Sequence, residues 1–382
     1  MSKDTIISRI TLLLAVCICG LMSCSDKDGI PSSQIHYTTV DNKVLALQIQ
    51  ENFGGAKIIS NTYFAEDSVC IIEFSTDVTE IGEHAFSRSA SLTDIIIPES
   101  VTKIGRCAFW DCSSLTNVTI PSSVTEIGGC AFSDCSSLTS VIIPPSVTKI
   151  GGCAFEDCSS LMNIIIPLSV REIGNYAFSD CSSLTNVTIP SSVTEIGYCA
   201  FSNCSSLTNV TIPSSVTEIG GCAFSDCSSL TSVIIPPSVT KIDDCAFSDC
   251  ASLTSICIPA SVRKIENNVF SDCSSLTSIK VESNNAIYDS REDCNAIIHT
   301  ESNTLISGCQ NTVIPESVTG IGVRAFSGCL SLTSISIPPS VTEIEALAFW
   351  GCSSLTTVKV SKDTHIADSA FEDCPNVRIE RY

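Results

Sequence analysis

The sequence predicts a right-handed, β-rich repeat solenoid, with short strands and one 3-10 or helical turn in each 23-residue unit and a cap at its N-terminal end. Three observations carry this. Ala-Phe pairs recur with Phe86, Phe109, Phe132, Phe155, Phe178, Phe201, Phe224, Phe247 and Phe270 each 23 residues apart, and three more follow at Phe326, Phe349 and Phe371. Prolines keep the same register from Pro98 to Pro259. A period of 20 to 50 residues is the signature of stacked supersecondary units, none of which can bury its apolar face alone.

One unit shows the path of a coil. In Leu115-Thr116-Asn117-Val118-Thr119-Ile120, Val118 and Ile120 alternate with Asn117 and Thr119, the period-two pattern of a strand with one buried face. Pro121 has no N–H to donate and ends the ladder. Val124 and Ile127 form a second short extended segment, and Gly128-Gly129 bends the chain. Ala131, Phe132 and Cys135, at i, i+1 and i+4, fit one side of a single helical or 3-10 turn, and Leu138 closes the coil. Twelve such coils at strand spacing, roughly 4.8 Å, make a rod of about 55 Å.

Composition narrows the class. Of 382 residues 44% are hydrophobic and only 16% charged, which excludes disorder and demands a substantial core. The 41 acidic against 20 basic residues give a net charge of -21, so nucleic acid is an excluded partner, because phosphates are bound chiefly by Lys and Arg. Lys3 and Arg9 precede the apolar run Ile10 to Leu21, the arrangement of a secretory signal and too short to span a bilayer. Leu21-Met22-Ser23-Cys24 resembles the lipobox of lipoprotein signals, which implies acylation of Cys24. Ser25-Asp26-Lys27-Asp28 resembles the acidic stretch of surface-exported lipoproteins in Bacteroidetes. The expected organisation is a signal peptide (1-23), a tether (24-33), an N-terminal cap (34-76), the solenoid (77-281), a modified repeat with a hairpin insert (282-314), and C-terminal repeats with their cap (315-382).

The repeat L-x-x-V-x-I-P-x-S-V-x-x-I-G-x-x-A-F-x-x-C resembles the BspA-like leucine-rich repeats of bacterial surface proteins, over about 300 residues. Tyr37-Thr38-Thr39 and Gly54 to Tyr63 resemble the cap of such proteins. Membership implies a leucine-rich-repeat-like fold, an extracellular binding or adhesive role toward a protein on a host or neighbouring cell, and no catalytic residues. The Asn ladder of ordinary leucine-rich repeats is replaced by Ser123, Ser146, Ser192 and Ser215. Two departures stand out. Pro259 to Pro315 exceeds two repeats by ten residues and lacks an Ala-Phe pair, so Asn284 to Gln310 is expected to form a protruding hairpin suited to binding. Thr119 to Ile150 and Thr211 to Ile242 are identical over 32 residues, a recent duplication that an extended surface tolerates better than an enzyme pocket does.

The reactive side chains argue against catalysis. Eleven of the twelve Phe units carry a cysteine three residues after Phe, from Cys112 to Cys374, read as small buried hydrophobes. Six carry a second one two residues before Phe, such as Cys107 and Cys130, alternating with His84, Tyr176, Asn268 and Arg324 and so expected to be partly exposed. His36, His84, His299 and His365 are scattered, which leaves no general base with partners. Glu292, Asp293, Cys294, His299 and Cys309 form the one compact cluster, and loop solvation accounts for it better than a metal. Asp134, Asp157, Asp180, Asp226, Asp249 and Asp272 read as a line of solvated turn residues rather than a calcium array. No enzyme activity, metal or cofactor is expected.

The outward strand positions are the candidate binding face: Asn117 and Thr119, Ser140 and Ile142, Asn163 and Ile165, Asn186 and Thr188, Asn209 and Thr211, Ser232 and Ile234. They form an uncharged carpet that Lys280 and Lys359 interrupt only late. Exposed aliphatic groups there fit a docking surface, and strand propensity alone accounts for them equally well. The absence of aromatic residues from these positions disfavours a lectin. The expected function is a monomeric, lipid-anchored outer-membrane adhesin facing the cell exterior; the alternative is a non-catalytic envelope scaffold without a dedicated ligand.

Overall fold

The computed structural model describes residues 30–47 and 52–382; the expected signal segment, Cys24 and the Ser25 to Asp28 stretch lie outside the described residues. The chain winds into a β-solenoid of about 13 turns, twelve bearing a Phe and one modified. Each regular coil contributes a face strand of three or so residues and a short strand of two. Face strands Ser140–Ile142, Asn163–Ile165, Asn186–Thr188, Asn209–Thr211 and Ser232–Ile234 pair in parallel, each residue opposite the one 23 further on. Nine short strands, from Glu80–Ile81 to Lys264–Ile265, form a second parallel sheet.

The two apolar edges read from the sequence both turn inward. Val118, Ile120, Val124, Ile127, Ala131, Phe132, Cys135 and Leu138 are all buried, and so are their equivalents in neighbouring coils. The phenylalanines stack along the axis with centroids 5.1–5.8 Å apart and planes within 9° from Phe86 to Phe270. The serines that replace an Asn ladder point inward as well. Ser123, Ser146, Ser169, Ser192, Ser215 and Ser238 each donate to a valine carbonyl 22 residues back, over 2.5–2.7 Å.

The corner that carries Phe differs from the helical or 3-10 turn that the spacing predicts. Beyond its first turn, a helix uses each N–H within its own segment. Here alternate ones are shared out: the N–H groups of Ala131, Ser133 and Cys135 close turns on Gly128, Cys130 and Phe132, whereas those of Cys130, Phe132 and Asp134 bond Gly152, Ala154 and Glu156 of the next coil. Aiming successive N–H groups in opposite directions puts Cys130 at φ 54° and Asp134 at φ 61°. A positive φ belongs at the third position of such a turn, and Asp and Asn tolerate it better than most residues. The same two positions are left-handed in coil after coil, held by Asp, Asn or Gly at the second from Asp111 onward. In the insert Arg291–Asp293 makes one short 3-10-like turn, in which Glu292 and Asp293 also take positive φ.

At the N-terminal end Gln34–Thr39 runs antiparallel to both Val69–Phe74 and Leu92–Ile96, so the parallel stack begins against a reversed strand. Phe53 meets Phe86 edge-on at 5.9 Å and closes the aromatic column there. The 284 to 310 insert does not protrude. Its hairpin, Ile297–His299 with Thr304–Ser307, joins the short-strand wall, and the second arm pairs in parallel with Gly320–Ile321. Ile297, Ile298 and Leu305 are fully buried because the hairpin replaces a coil and must cover the apolar ends on both sides. It divides the core into two clusters and contributes to each.

Phe109→Ala removes one ring from mid-column, where the flanking coils are held apart by their backbone bonds and cannot collapse. The expected cost is about 3–5 kcal/mol, read from the guanidinium unfolding midpoint; an unchanged midpoint contradicts the inward column.

Candidate functional site: an uncharged sheet face

Strand alternation places all twelve candidate residues outward. Asn117, Thr119, Ile142, Asn163, Ile165, Asn186, Thr188, Asn209, Thr211, Ser232 and Ile234 are exposed, and Ser140 is half-buried. The structure aligns them in two rows along the axis, an amide and hydroxyl row and a mixed aliphatic and threonine row. Asn117 and Thr119 lie on the strand that joins the cap sheet, the others on the continuous five-stranded sheet. Ile142 pairs in register with Ile165, and Thr211 with Ile234. The exposures of Ile142, Ile165 and Ile234 are 61%, 73% and 82%, high for side chains of this size.

Two residues that the sequence reading missed belong with them. Met162 and Leu168 flank the strand Asn163–Ile165 and are 53% and 74% exposed. The signal was present: Met162 replaces the threonine of the other regular coils, and Leu168 stands where most of them hold serine or proline and none a large apolar residue. An apolar strip of Ile142, Met162, Ile165 and Leu168 therefore centres on one coil. Beside it the amides are held from behind. Asn186 and Asn209 donate to Thr185 and Thr208, whose hydroxyls donate to carbonyls of the preceding coil. Further along, Cys257 continues the outward row as an exposed thiol, next to Lys280.

The other candidates are drawn elsewhere. Cysteines of the Cys112 row are buried, as expected, and most of them do more than fill space: the thiols of Cys112, Cys135, Cys158, Cys181, Cys204, Cys227, Cys250 and Cys273 each donate to a phenylalanine carbonyl 26 residues back, at 3.1–3.2 Å. Burial holds the Cys135, Cys181 and Cys227 thiols far above their ordinary range, so they remain protonated donors. In the second row Cys130, Cys153, Cys222 and Cys245 are half-buried, whereas Cys107 and Cys199 are buried. Burial, then the side chain of Glu156, pushes Cys153 up to about 12. The aspartates serve the left-handed corner. Asp134 accepts from Trp110 Nε1 and Ser133 Oγ at 2.8 Å each, and burial followed by the neighbouring carboxylates raises Asp157 and Asp249. In the insert Cys294 and Cys309 face backbone carbonyls, and His299 Nδ1 lies 3.0 Å from Ser302 Oγ. Among the described residues no group of three His, Cys, Asp or Glu side chains converges to hold a metal.

A stack of near-identical coils with a buried aromatic column and an outward sheet face defines a β-solenoid repeat protein. The BspA type leucine-rich repeat model matches residues 57–185, 171–295 and 302–379, and the chain belongs to that family. It is similar to a leucine-rich repeat protein from Bacteroides ovatus, 28% identical with a TM-score of 0.57, over 84% of this chain and 90% of the other. A leucine-rich cell surface protein from Faecalibacterium prausnitzii is 27% identical, with a TM-score of 0.46 and coverage of 94% and 96%. The leucine-rich repeat protein of T. pallidum is 32% identical over 48% of this chain and 78% of its own, with a TM-score of 0.39. None of the curated proteins matches the chain. Among the described residues no helix is long and apolar enough to cross a membrane.

Two outcomes follow from the thiols. With a maleimide at pH 7, Cys257 should label in the native protein, and the Cys112 row only after unfolding; mass spectrometry of peptides separates them. The folded protein also keeps thiol protons that the unfolded chain releases above about pH 9, burial having raised Cys199 and Cys294 to about 11 and Cys153 to about 12. Stability contributed by these groups is therefore complete below pH 9 and declines as the pH rises toward 11–12. The reduced protein should show a falling unfolding midpoint across that window and none from this cause between pH 7 and 8.

Proposed function

We propose that the protein is a lipid-anchored outer-membrane adhesin that faces the cell exterior and binds a protein on a host or neighbouring cell through its uncharged sheet face. The observation that carries this is the set of exposed aliphatic side chains Ile142 and Ile165 on the parallel sheet with Met162 and Leu168 flanking it. Strand propensity accounts for isoleucine in a strand but not for Met162 and Leu168, which lie outside it. Contiguous exposed apolar groups rimmed by polar ones mark contact surfaces on otherwise soluble domains. Asn163, Asn186, Thr188, Asn209 and Thr211 supply the rim, with Asn117, Thr119, Ser140, Ser232 and Ile234 extending it along the rod.

The similarity to a cell surface protein from Faecalibacterium prausnitzii supports the location. Cys24 is the proposed acylation site. The insert is not part of the proposed binding surface, since its hairpin pairs into the wall with Ile297, Ile298 and Leu305 buried. Cation and nucleic-acid partners are disfavoured by the same surface, which offers neither converging carboxylates nor a basic patch.

Ile165→Asp places a charge at the centre of the strip. Affinity for a partner on intact target cells should fall at least about tenfold, or about 1.4 kcal/mol. Stability should change by no more than about 0.5 kcal/mol, because the residue is exposed. Undiminished cell binding by this variant contradicts the assignment of the face. Protease accessibility on intact cells, with Cys24→Ala as the comparison, tests the location; protection in intact cells but not lysed ones favours the envelope scaffold instead.

A further inference from the structure

The insert leaves a gap in the corner. In regular coils five positions separate the short-strand isoleucine from the phenylalanine, as from Ile265 to Phe270 and from Ile321 to Phe326. In the modified coil Leu305 pairs opposite Ile321, and the residue that donates to the Ala325 carbonyl, as phenylalanine does elsewhere, is Gly308. Three positions separate Leu305 from Gly308, so the corner is two residues short. A Cβ on Gly308 would meet the Phe326 ring at 2.3 Å, which leaves no room for a phenylalanine there.

The missing residues leave a cavity of about 170 Å³ between the corners of the Phe270 and Phe326 coils. Asn268, Phe270, Ser271, Thr304, Val323 and Arg324 are among its walls. One coil earlier, Cys245 and Phe247 donate their N–H groups to the Asn267 and Val269 carbonyls of the next corner. The equivalent N–H groups of Asn268 and Phe270 find no carbonyl among the described residues. On the opposite wall the Val323 carbonyl, which would accept from a corner N–H, has no donor. Ser271 is 7% exposed, and its Oγ has no partner; neither has the Asn268 Oδ1. Buried polar groups without partners are rare and costly, so a cluster of them lining one cavity marks a place where a ligand completes the bonding.

We propose that this corner cavity binds a main-chain segment of two or three small residues from a partner polypeptide, which supplies the missing rung. Its first carbonyl accepts from Asn268 N–H, the next N–H donates to the Val323 carbonyl, and a carbonyl two residues after the first accepts from Phe270 N–H. This is the main-chain pattern of every intact corner, and it is strand-addition recognition applied to a turn. The volume falls below the roughly 300–1,000 Å³ of small-molecule sites, which suits the tip of a loop. A free anion fits less well, because Glu266 and Glu345 line the cavity beside Arg324 and the chain is strongly acidic. The proposal does not rest on the sheet face, which is a different strip of the coil.

The test is amide hydrogen exchange read by NMR on the full chain, with acetyl-Gly-Ala-Gly-amide as the probe. Without peptide, Asn268 and Phe270 should exchange faster than Cys245 and Phe247. At ten times its dissociation constant the peptide should slow Asn268 and Phe270 about tenfold. Ser271→Ala should leave the melting temperature of the free protein unchanged or higher, because its Oγ has no partner to lose. Val323→Trp, at a half-exposed position, should abolish the slowing without affecting the partner binding lost in Ile165→Asp. Full protection of both amides without peptide, no response to millimolar peptide, or an undiminished response in Val323→Trp overturns the proposal.

Discussion

Everything in this molecule depends on the backbone hydrogen bonds between one coil and the next, which join residues 22 to 24 positions apart. They operate on three strips of the coil: the face strand, the short strand and the left-handed corner. Because their register is parallel and exact repeats stack on one another, each side chain meets its own kind in the next coil. Phenylalanine does so on phenylalanine without penalty, and the thiol and serine rows each find a carbonyl one coil back. Charges cannot stack so freely, since like charges directly opposite destabilise a sheet. On the short strand glutamate and lysine therefore often alternate, with Lys103 beside Glu80, Lys149 beside Glu172 and Lys241 beside Glu218.

The cysteine content has the same origin. A thiol at the Cys112 position is small enough for the corner and can still donate to the phenylalanine carbonyl, which already accepts a turn bond. A hydroxyl in that apolar corner is costlier to desolvate, and an alanine leaves the carbonyl one partner fewer. These requirements explain a long row of buried thiols without redox chemistry, and burial, by holding Cys135, Cys181 and Cys227 protonated, keeps these from becoming nucleophiles.

Much of this was legible in the sequence. The Val118, Ile120, Val124 and Ile127 pattern gave both strands with the correct sides inward, and the 23-residue phase of Phe and Pro gave the stack. The corner was not, because i, i+1 and i+4 burial suits a helical turn and a series of turns equally well. What distinguished them was the Asp134 row itself: Asp at most coils, Asn203 at one, Gly328 and Gly351 at two others, residues that share little except tolerance of positive φ. The path of the insert was not legible for a related reason. Ten extra residues suggested protrusion, yet Ile297, Ile298, Leu305 and Ile306 are what a wall strand requires. The Met162 and Leu168 substitutions were visible as breaks in the consensus, but their shared exposure emerges only once the coil is closed.

A solenoid satisfies nearly all of its own bonding, so sites for other molecules must arise where the repeat is broken. The broken places are few. In the coil of Met162 and Leu168 the departure is on the surface: polar consensus residues give way to aliphatic ones beside Ile165, and apolar area is left uncovered. At the insert the departure is in the main chain, where a corner two residues short strands the N–H groups of Asn268 and Phe270 and the carbonyl of Val323. Neither departure serves the stack. Restoring threonine and serine at the first, or two residues at the second, would return the local structure to that of its neighbours. Repeat identity between Thr119 to Ile150 and Thr211 to Ile242 shows how closely coils can be copied when nothing opposes it. That these two coils differ from the rest is therefore the strongest structural reason to place recognition there.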